Sequence, residues 1–380
     1  MRYYIIAGER SGDLHASNLI RALRQRDEHT IVRGFGGDLM KDAGADLAVH
    51  YEEMAFMGFV TLIRNYGTIR RMLKFCKQDI LQFKPDVVIH IDYGGFNRRI
   101  AKFAKAAGIT TFYYIPPKVW AWYQSRAREL KESIDRMFVI LPFEKEFFST
   151  YGMEVDYVGN PVLDAVKSFT PDRTFLTRHS FDSGKPIVAL LPGSRKMEVT
   201  RIVPVMLAVV ERFPQYEFAV AALSNLDGRL YEPLRSHPRV HWILDDTYNL
   251  LHSSRAAIVC SGTATLETGL FKVPQVCVYR AGWLEMIIAR AVVQVKHISL
   301  INLIAGKEVI RELIQEEASP ASVGDELQKL VEDHSYRDAM ISSYQDIHHT
   351  LDIGSASDNA ARLMIGYLNS YQEKSSSSLH

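Results

Sequence analysis

Arg2-Tyr3-Tyr4-Ile5-Ile6-Ala7-Gly8-Glu9-Arg10-Ser11-Gly12-Asp13 begins with a short β-rich apolar run that stops on a glycine, and residues 14–26 beyond it carry apolar side chains at helical spacing. The run is too short for a signal peptide and passes straight into Glu9 and Arg10, so it reads as a buried first strand. The alternation continues, with strands expected over residues 31–35, 87–91, 110–115, 137–141 and 155–158. Helical spacing covers 97–107 and 143–151. Repeated βα units imply a parallel sheet with helices on both faces. Residues 168–185 are polar and hold Pro171 and Gly184, which suits a linker. Strands then resume over 187–191, 217–222, 240–244, 257–260 and 275–279, with helices over 198–213 and from Thr263. The fold class is therefore α/β, with two Rossmann-like doubly wound domains over residues 1–167 and 168–345. Residues 346–380 form a C-terminal helix and a Ser-rich tail that reads as disordered from residue 373. Open α/β sheets bind ligands beyond the carboxyl ends of their strands, so the expected site is a cleft faced by both domains.

The 380 residues are 47% apolar and 23% charged, with a net charge of +1, so no global field points to nucleic acid. No apolar run reaches the roughly 18–20 residues of a spanning helix. The three cysteines, Cys76, Cys260 and Cys277, are scattered, which argues against a disulfide framework or a zinc site and for a reducing cytoplasm. No HExxH, paired-histidine or GxSxG motif is present.

Five segments carry candidate chemistry. Gly8–Asp13 is a strand-to-helix turn in which Ser11 or Asp13 could cap the helix, and whose N-terminus offers N–H groups to an anionic or hydroxyl-rich ligand. Pro192-Gly193-Ser194-Arg195 reads as a diphosphate cradle, with backbone donors and a bidentate guanidinium; the plain alternative is an exposed loop arginine. Ser261-Gly262-Thr263 opens a second helix on the same sheet edge, with Glu267 one turn on and able to accept from both ribose hydroxyls. Its alternative is a carboxylate that favours the helix dipole. Asp92 ends an apolar strand, where a carboxylate can take a proton from an acceptor hydroxyl; the alternative is a cap for the helix from Asn97. His90, two residues earlier, reads first as a core histidine. Finally, Met54 to Phe75 is apolar and Met-rich, with Arg64, Arg70, Arg71 and Lys74 and no acid between Glu53 and Asp79. Such a segment suits an anionic membrane or a greasy ligand, or an ordinary helix packed on the sheet.

Taken together, nine motifs in order resemble the lipid-A-disaccharide synthase family: GERSGD (8–13), MGF (57–59), KPD with VVIHID (84–92), VWAW (119–122), LPFE (141–144), VGNP (158–161), LLPGSR (190–195), SGTATLE (261–267) and SLINLIAGKE (299–308). The resemblance implies a GT-B fold and transfer of 2,3-diacylglucosamine from its UDP donor to 2,3-diacylglucosamine 1-phosphate, with inversion and release of UDP. It implies Asp92 as general base and places Glu9, the acid of the N-terminal motif, among the catalytic residues. Arg195, Glu267 and Asn302 match residues associated with the UDP portion, beside the turns Gly193-Ser194 and Ser261-Gly262-Thr263. Acceptor and lipid contacts are expected from Ser11, Asp13, Met57, Phe59, Arg64, Arg70, Arg71, Trp120 and Trp122. No cofactor, metal or nucleic acid is implied; the partner surface is the cytoplasmic side of the bacterial inner membrane, and a homodimer is allowed. The chain departs from the family pattern at Arg10, Thr61, Tyr93-Gly94-Gly95 and Pro116-Pro117-Lys118. Two rivals stand beside this reading: a UDP-sugar 2-epimerase on a similar scaffold, and a non-catalytic UDP-sugar or lipid-binding module.

Overall fold

Successive residues of the first strand, β1 (Arg2–Ala7), are sealed on both sides: Tyr3, Ile5 and Ala7 pack with Leu19, Ile20 and Leu23 of the helix Arg10–Arg26, while Tyr4 and Ile6 pack with Cys76, Ile80, Phe96 and Ile100 of two helices on the other face. A strand buried on both faces needs a continuous apolar run rather than an alternating one, which is what Tyr3 to Ala7 supplies. The computed structural model describes residues 1–54, 66–121, 124–182, 184–282 and 295–377.

Two units are formed, Met1–Pro161 with Ile353–His380, and Val162–Asp352. In the first, β1, β2 (Ile31–Gly36), β3 (Asp46–His50), β4 (Val87–Ile91), β5 (Thr110–Tyr114), β6 (Arg136–Val139) and β7 (Asp156–Tyr157) make one parallel sheet of order β3-β2-β1-β4-β5-β6-β7. In the second, β8 (Ile187–Leu191), β9 (Glu217–Ala222), β10 (Val240–Leu244), β11 (Ala256–Cys260), β12 (Gln275–Tyr279) and β13 (Glu312–Ile314) run in the order β10-β9-β8-β11-β12-β13, again parallel. Each sheet reverses its winding once, between β1 and β4 and between β8 and β11. The loops that leave these four strands diverge to opposite faces and open a crevice at the strand ends.

The expected strands are present within a residue or two. The two unexpected ones, β3 and β13, both lie at sheet edges, where short segments such as Glu312–Ile314 need no long apolar run. Three boundaries differ from the sequence reading. The units part after Pro161 rather than at residue 168. The expected linker 168–185 belongs to the second unit, where Phe175 is buried with Ile187, Ile243 and Leu250. The C-terminal helix Ala356–Ser377 continues past residue 373, and its Ala360, Ala361, Met364 and Leu368 complete the core beside Leu19 and Leu23 of the first unit.

Candidate active site

At the β1–β4 switch point two loops meet. Beyond β1, Gly8 is buried and Glu9, in extended conformation, precedes the helix that starts at Arg10, with no cap from its side chain. Ser11 is exposed in the first turn of that helix. Asp13 does not cap this helix. Its carboxylate accepts from the N–H groups of Gly37 (2.8 Å), Leu39 (3.1 Å) and Met40 (3.0 Å), tying down the start of the helix Asp38–Asp42. Three backbone donors and its burial hold the carboxylate in this loop, so Asp13 serves first to fix the Gly37–Met40 turn.

Beyond β4, Asp92 and Tyr93 are both left-handed, with φ of 45° and 50°. Such a conformation costs non-glycine residues about 1–2 kcal/mol each and persists only where the surroundings over-determine it. Here they do. The Asp92 carbonyl accepts from Tyr113 Oη at 2.6 Å and Asn97 Nδ2 at 2.8 Å, and its N–H donates to the Ile115 carbonyl at 3.1 Å. Asn97 Oδ1 in turn sits 3.3 Å from His90 Nδ1. His90 is wholly buried and burial lowers its pKa to about 4, so it is a neutral core group that orients Asn97. The Tyr93 ring lies over Gly8, where a β-carbon would collide with it.

These contacts leave the Asp92 carboxyl half-buried at the end of its strand. Oδ1 accepts the Tyr93 N–H at 2.8 Å, and Tyr93, not Asp92, occupies the cap position of the helix Gly94–Ala106. Burial raises its pKa; the Tyr93 N–H and the charge of Lys118 oppose that rise. A carboxylate with a raised pKa is a stronger proton acceptor than a free one. Lys118 is exposed on the loop after β5, next to Pro117, which lies against Gly94.

Trp120 is buried and donates from Nε1 to Glu144 Oε1 at 3.0 Å, so it anchors its loop rather than presenting a face to lipid. Glu144 also accepts from the N–H groups of Ile140 (3.2 Å) and Leu141 (2.9 Å), and burial still lifts its pKa to about 7. The helix Tyr66–Phe83 buries Ile69, Cys76 and Ile80 against the sheet and leaves Arg70 and Arg71 exposed. Met57, Phe59, Arg64 and Trp122 lie outside the described residues, as does Thr61.

In the second unit the turn after β8 contains Gly193, at φ +114°, followed by Ser194 and Arg195 at the start of the helix Lys196–Arg212. The backbone donors expected to meet phosphate are partly taken: Glu198 Oε2 accepts from the N–H groups of Ser194 (2.9 Å) and Arg195 (3.2 Å). The next turn, after β11, lies beside it, since a β-carbon on Gly193 would stand 3.2 Å from Cys260 Sγ. There Ser261 Oγ donates to the Ile298 carbonyl at 2.8 Å, Gly262 occupies the cap position, and Thr263 is exposed at the head of the helix Thr263–Leu270. Glu267, half-buried one turn on, accepts from Tyr248 Oη at 3.1 Å, and burial raises its pKa against that bond. Asn302 is a correction. Its Nδ2 donates to the Ile310 carbonyl (2.9 Å) and Glu312 Oε1 (2.8 Å), and its Oδ1 accepts from Val309 (2.7 Å) and Ile310 (3.0 Å). An amide has four such positions and all are spent on the loop to β13, so Asn302 shapes the site without a direct ligand bond. Sequence reasoning missed Asn97, Tyr113, Glu144 and Glu198. Asn97 and Glu144 lay in segments already singled out, His90–Asn97 and LPFE, without a role of their own; Tyr113 and Glu198 lay in none.

The family model described as lipid-A-disaccharide synthetase matches residues 3–363. The chain belongs to the lipid-A-disaccharide synthase family. Among its relatives, the lipid-A-disaccharide synthase of Trichlorobacter lovleyi is 36% identical over 96% of this chain and 97% of its own. That of Syntrophus aciditrophicus is 37% identical over 94% and 95%, and that of Coxiella burnetii 32% over 95% and 96%. Among solved structures, the UDP-GlcNAc 2-epimerase of Neisseria meningitidis bound to UDP-GlcNAc has a TM-score of 0.66 at 14% identity, covering 97% of this chain and 100% of that one. The kitacinnamycin glycosyltransferase has a TM-score of 0.65 at 13% identity, with 97% and 99% covered. Such low identities show the fold alone, a GT-B fold of two Rossmann-like domains; the family shows the reaction, and the synthase is a glycosyltransferase rather than an epimerase.

The Tyr93 ring over Gly8 gives this synthase a direct test of its strained loop. Gly8→Ala forces the ring away and loosens the Asp92 turn. Disaccharide formation should fall at least tenfold, while circular dichroism and UDP binding stay near wild type. Unchanged turnover would show that the Gly8–Tyr93 contact does not set the geometry of Asp92.

Proposed function

We propose that this synthase joins its two substrates in one inverting displacement with Asp92 as base. Asp92 takes the proton of the primary hydroxyl of 2,3-diacylglucosamine 1-phosphate. The oxygen's electron pair then forms a bond to the anomeric carbon of the UDP-linked 2,3-diacylglucosamine, as the bond from that carbon to the diphosphate oxygen breaks and its pair leaves with UDP. Arg195 and the helix starts at Lys196 and Thr263 take up the negative charge that builds on the diphosphate, and Glu267 holds the ribose. The observation that carries the reading is the Asp92 turn: a half-buried carboxyl, with a raised pKa, in a doubly left-handed loop at a switch point. Glu9, whose charge reaches Tyr93, lines the same switch point.

Both substrates carry acyl chains, so the enzyme works at the cytoplasmic surface of the inner membrane. Support comes from the helix Tyr66–Phe83. Its exposed residues include Arg70, Arg71 and Lys74 beside Phe75 and Leu81, which are 40% and 51% exposed. The helix's only acid, Asp79, is turned inward to Tyr4 Oη (2.7 Å) and Arg33. A face of cations and apolar side chains without acid suits anionic head groups, at about 1 kcal/mol per cation. No helix among the described residues is long and apolar enough to cross a membrane.

Asp92→Asn should lower turnover by roughly 10²–10⁴-fold, with little change in UDP affinity. In the wild type the acid limb of kcat/KM should lie above the ordinary aspartate range, because activity is lost as Asp92 protonates at its raised pKa. A variant with near-normal turnover removes Asp92 from the mechanism. Separately, Arg70→Glu with Arg71→Glu should weaken co-sedimentation with anionic vesicles and slow the reaction on vesicle-borne substrate. Detergent-dispersed substrate should be affected much less. Equal vesicle binding by both proteins would return this helix to a packing role alone.

A further inference from the structure

Glu198 stands out among the groups that the reaction does not use. It lies one turn into the helix Lys196–Arg212, yet its carboxylate reaches back to the turn that precedes the helix. Oε2 accepts from the N–H groups of Ser194 (2.9 Å) and Arg195 (3.2 Å), and Oε1 lies 3.3 Å from the Arg195 guanidinium. Gly193 makes room for it: a β-carbon there would stand 2.6 Å from Oε2. The two partners of this ion pair are unequally exposed, with the Glu198 side chain 14% exposed and that of Arg195 83%. The carboxylate is seated under the turn; the guanidinium is presented to solvent.

We propose that Glu198 is a positioning residue for the nucleotide, holding the Gly193-Ser194-Arg195 turn closed and fixing Arg195 in the orientation that receives the diphosphate. This rests on the assignment of Arg195 to the diphosphate made above. A long exposed arginine loses rotamer freedom when it binds an anion, and a partner that restricts it beforehand lowers that loss. The opposite arrangement, a carboxylate that competes with phosphate for the same N–H groups, would call for a side chain free to leave. Glu198 is instead enclosed by three donors beneath Gly193.

The test is calorimetric titration of the full-length protein with UDP, for wild type, Glu198→Ala, Glu198→Gln, Arg195→Ala and the double variant Arg195→Ala with Glu198→Ala. Glu198→Gln keeps the length and one acceptor oxygen, so it guards against misfolding, and melting temperatures are recorded throughout. The expected result is a weakening of UDP binding by about three- to tenfold in Glu198→Ala and by less in Glu198→Gln. Because Glu198 acts through Arg195, adding Glu198→Ala to Arg195→Ala should change the Kd by less than about twofold. Unchanged or tighter UDP binding in both Glu198 variants, with Arg195→Ala still weakened, overturns this inference alone. An unchanged Kd in Arg195→Ala overturns the assignment of Arg195 and this inference with it.

Discussion

A parallel sheet covered on both faces has one place for polar chemistry, the loops beyond its strand ends, and both units of this synthase are organised around that constraint. Tyr3 to Ala7 and Val87 to Ile91 are sealed between helices, so their backbones emerge side by side at Gly8 and Asp92. The second unit repeats the arrangement at Gly193 and Ser261. What differs is the charge placed there. The first unit offers a carboxyl whose ionised form is disfavoured by burial; the second offers helix starts and an exposed guanidinium. A proton acceptor and an anion receiver are the two requirements of glycosyl transfer to a hydroxyl from a nucleotide diphosphate.

The Asp92 loop shows how local strain is maintained. Two adjacent left-handed residues are unfavourable by themselves, and Asn97 offsets this by bonding the Asp92 carbonyl while touching the buried, neutral His90. Tyr113 closes the same carbonyl from the neighbouring strand. The result holds the carboxyl at the strand end, with Oδ1 on the Tyr93 N–H. Glu144 is a different case: three N–H donors surround its buried carboxylate, which makes it a fastening point for the Trp120 loop.

Much of this was legible in the sequence, for a physical reason. Strands buried on both faces announce themselves as apolar runs between turn residues, so the central strands and the four turns beyond them could be placed from periodicity. Edge strands β3 and β13 lack that signature, and the C-terminal helix gave no sign that it returns to the first unit. Polar residues were harder to place. Asp13 and Asn302 sit in motifs that face a ligand in principle, yet Asp13 is buried on the N–H groups of Gly37, Leu39 and Met40, and all four positions of the Asn302 amide are spent on the loop to β13 and on Glu312. Whether a polar side chain serves a ligand or its own backbone depends on where a loop folds, which one-dimensional spacing does not encode. Glu198 is the clearest instance, unremarkable as the third residue of a helix and informative only once its carboxylate is seen beneath Gly193.

The central claim is that this scaffold makes a glycosidic bond between two acylated glucosamines. The direct measurement is incubation of the purified protein with UDP-2,3-diacylglucosamine and 2,3-diacylglucosamine 1-phosphate, scoring disaccharide and UDP by mass spectrometry. The account predicts disaccharide 1-phosphate and UDP in equal amounts, with inverted anomeric configuration and no turnover when the acceptor is omitted. UDP release without disaccharide, or a donor returned with altered configuration at its second carbon, would contradict it.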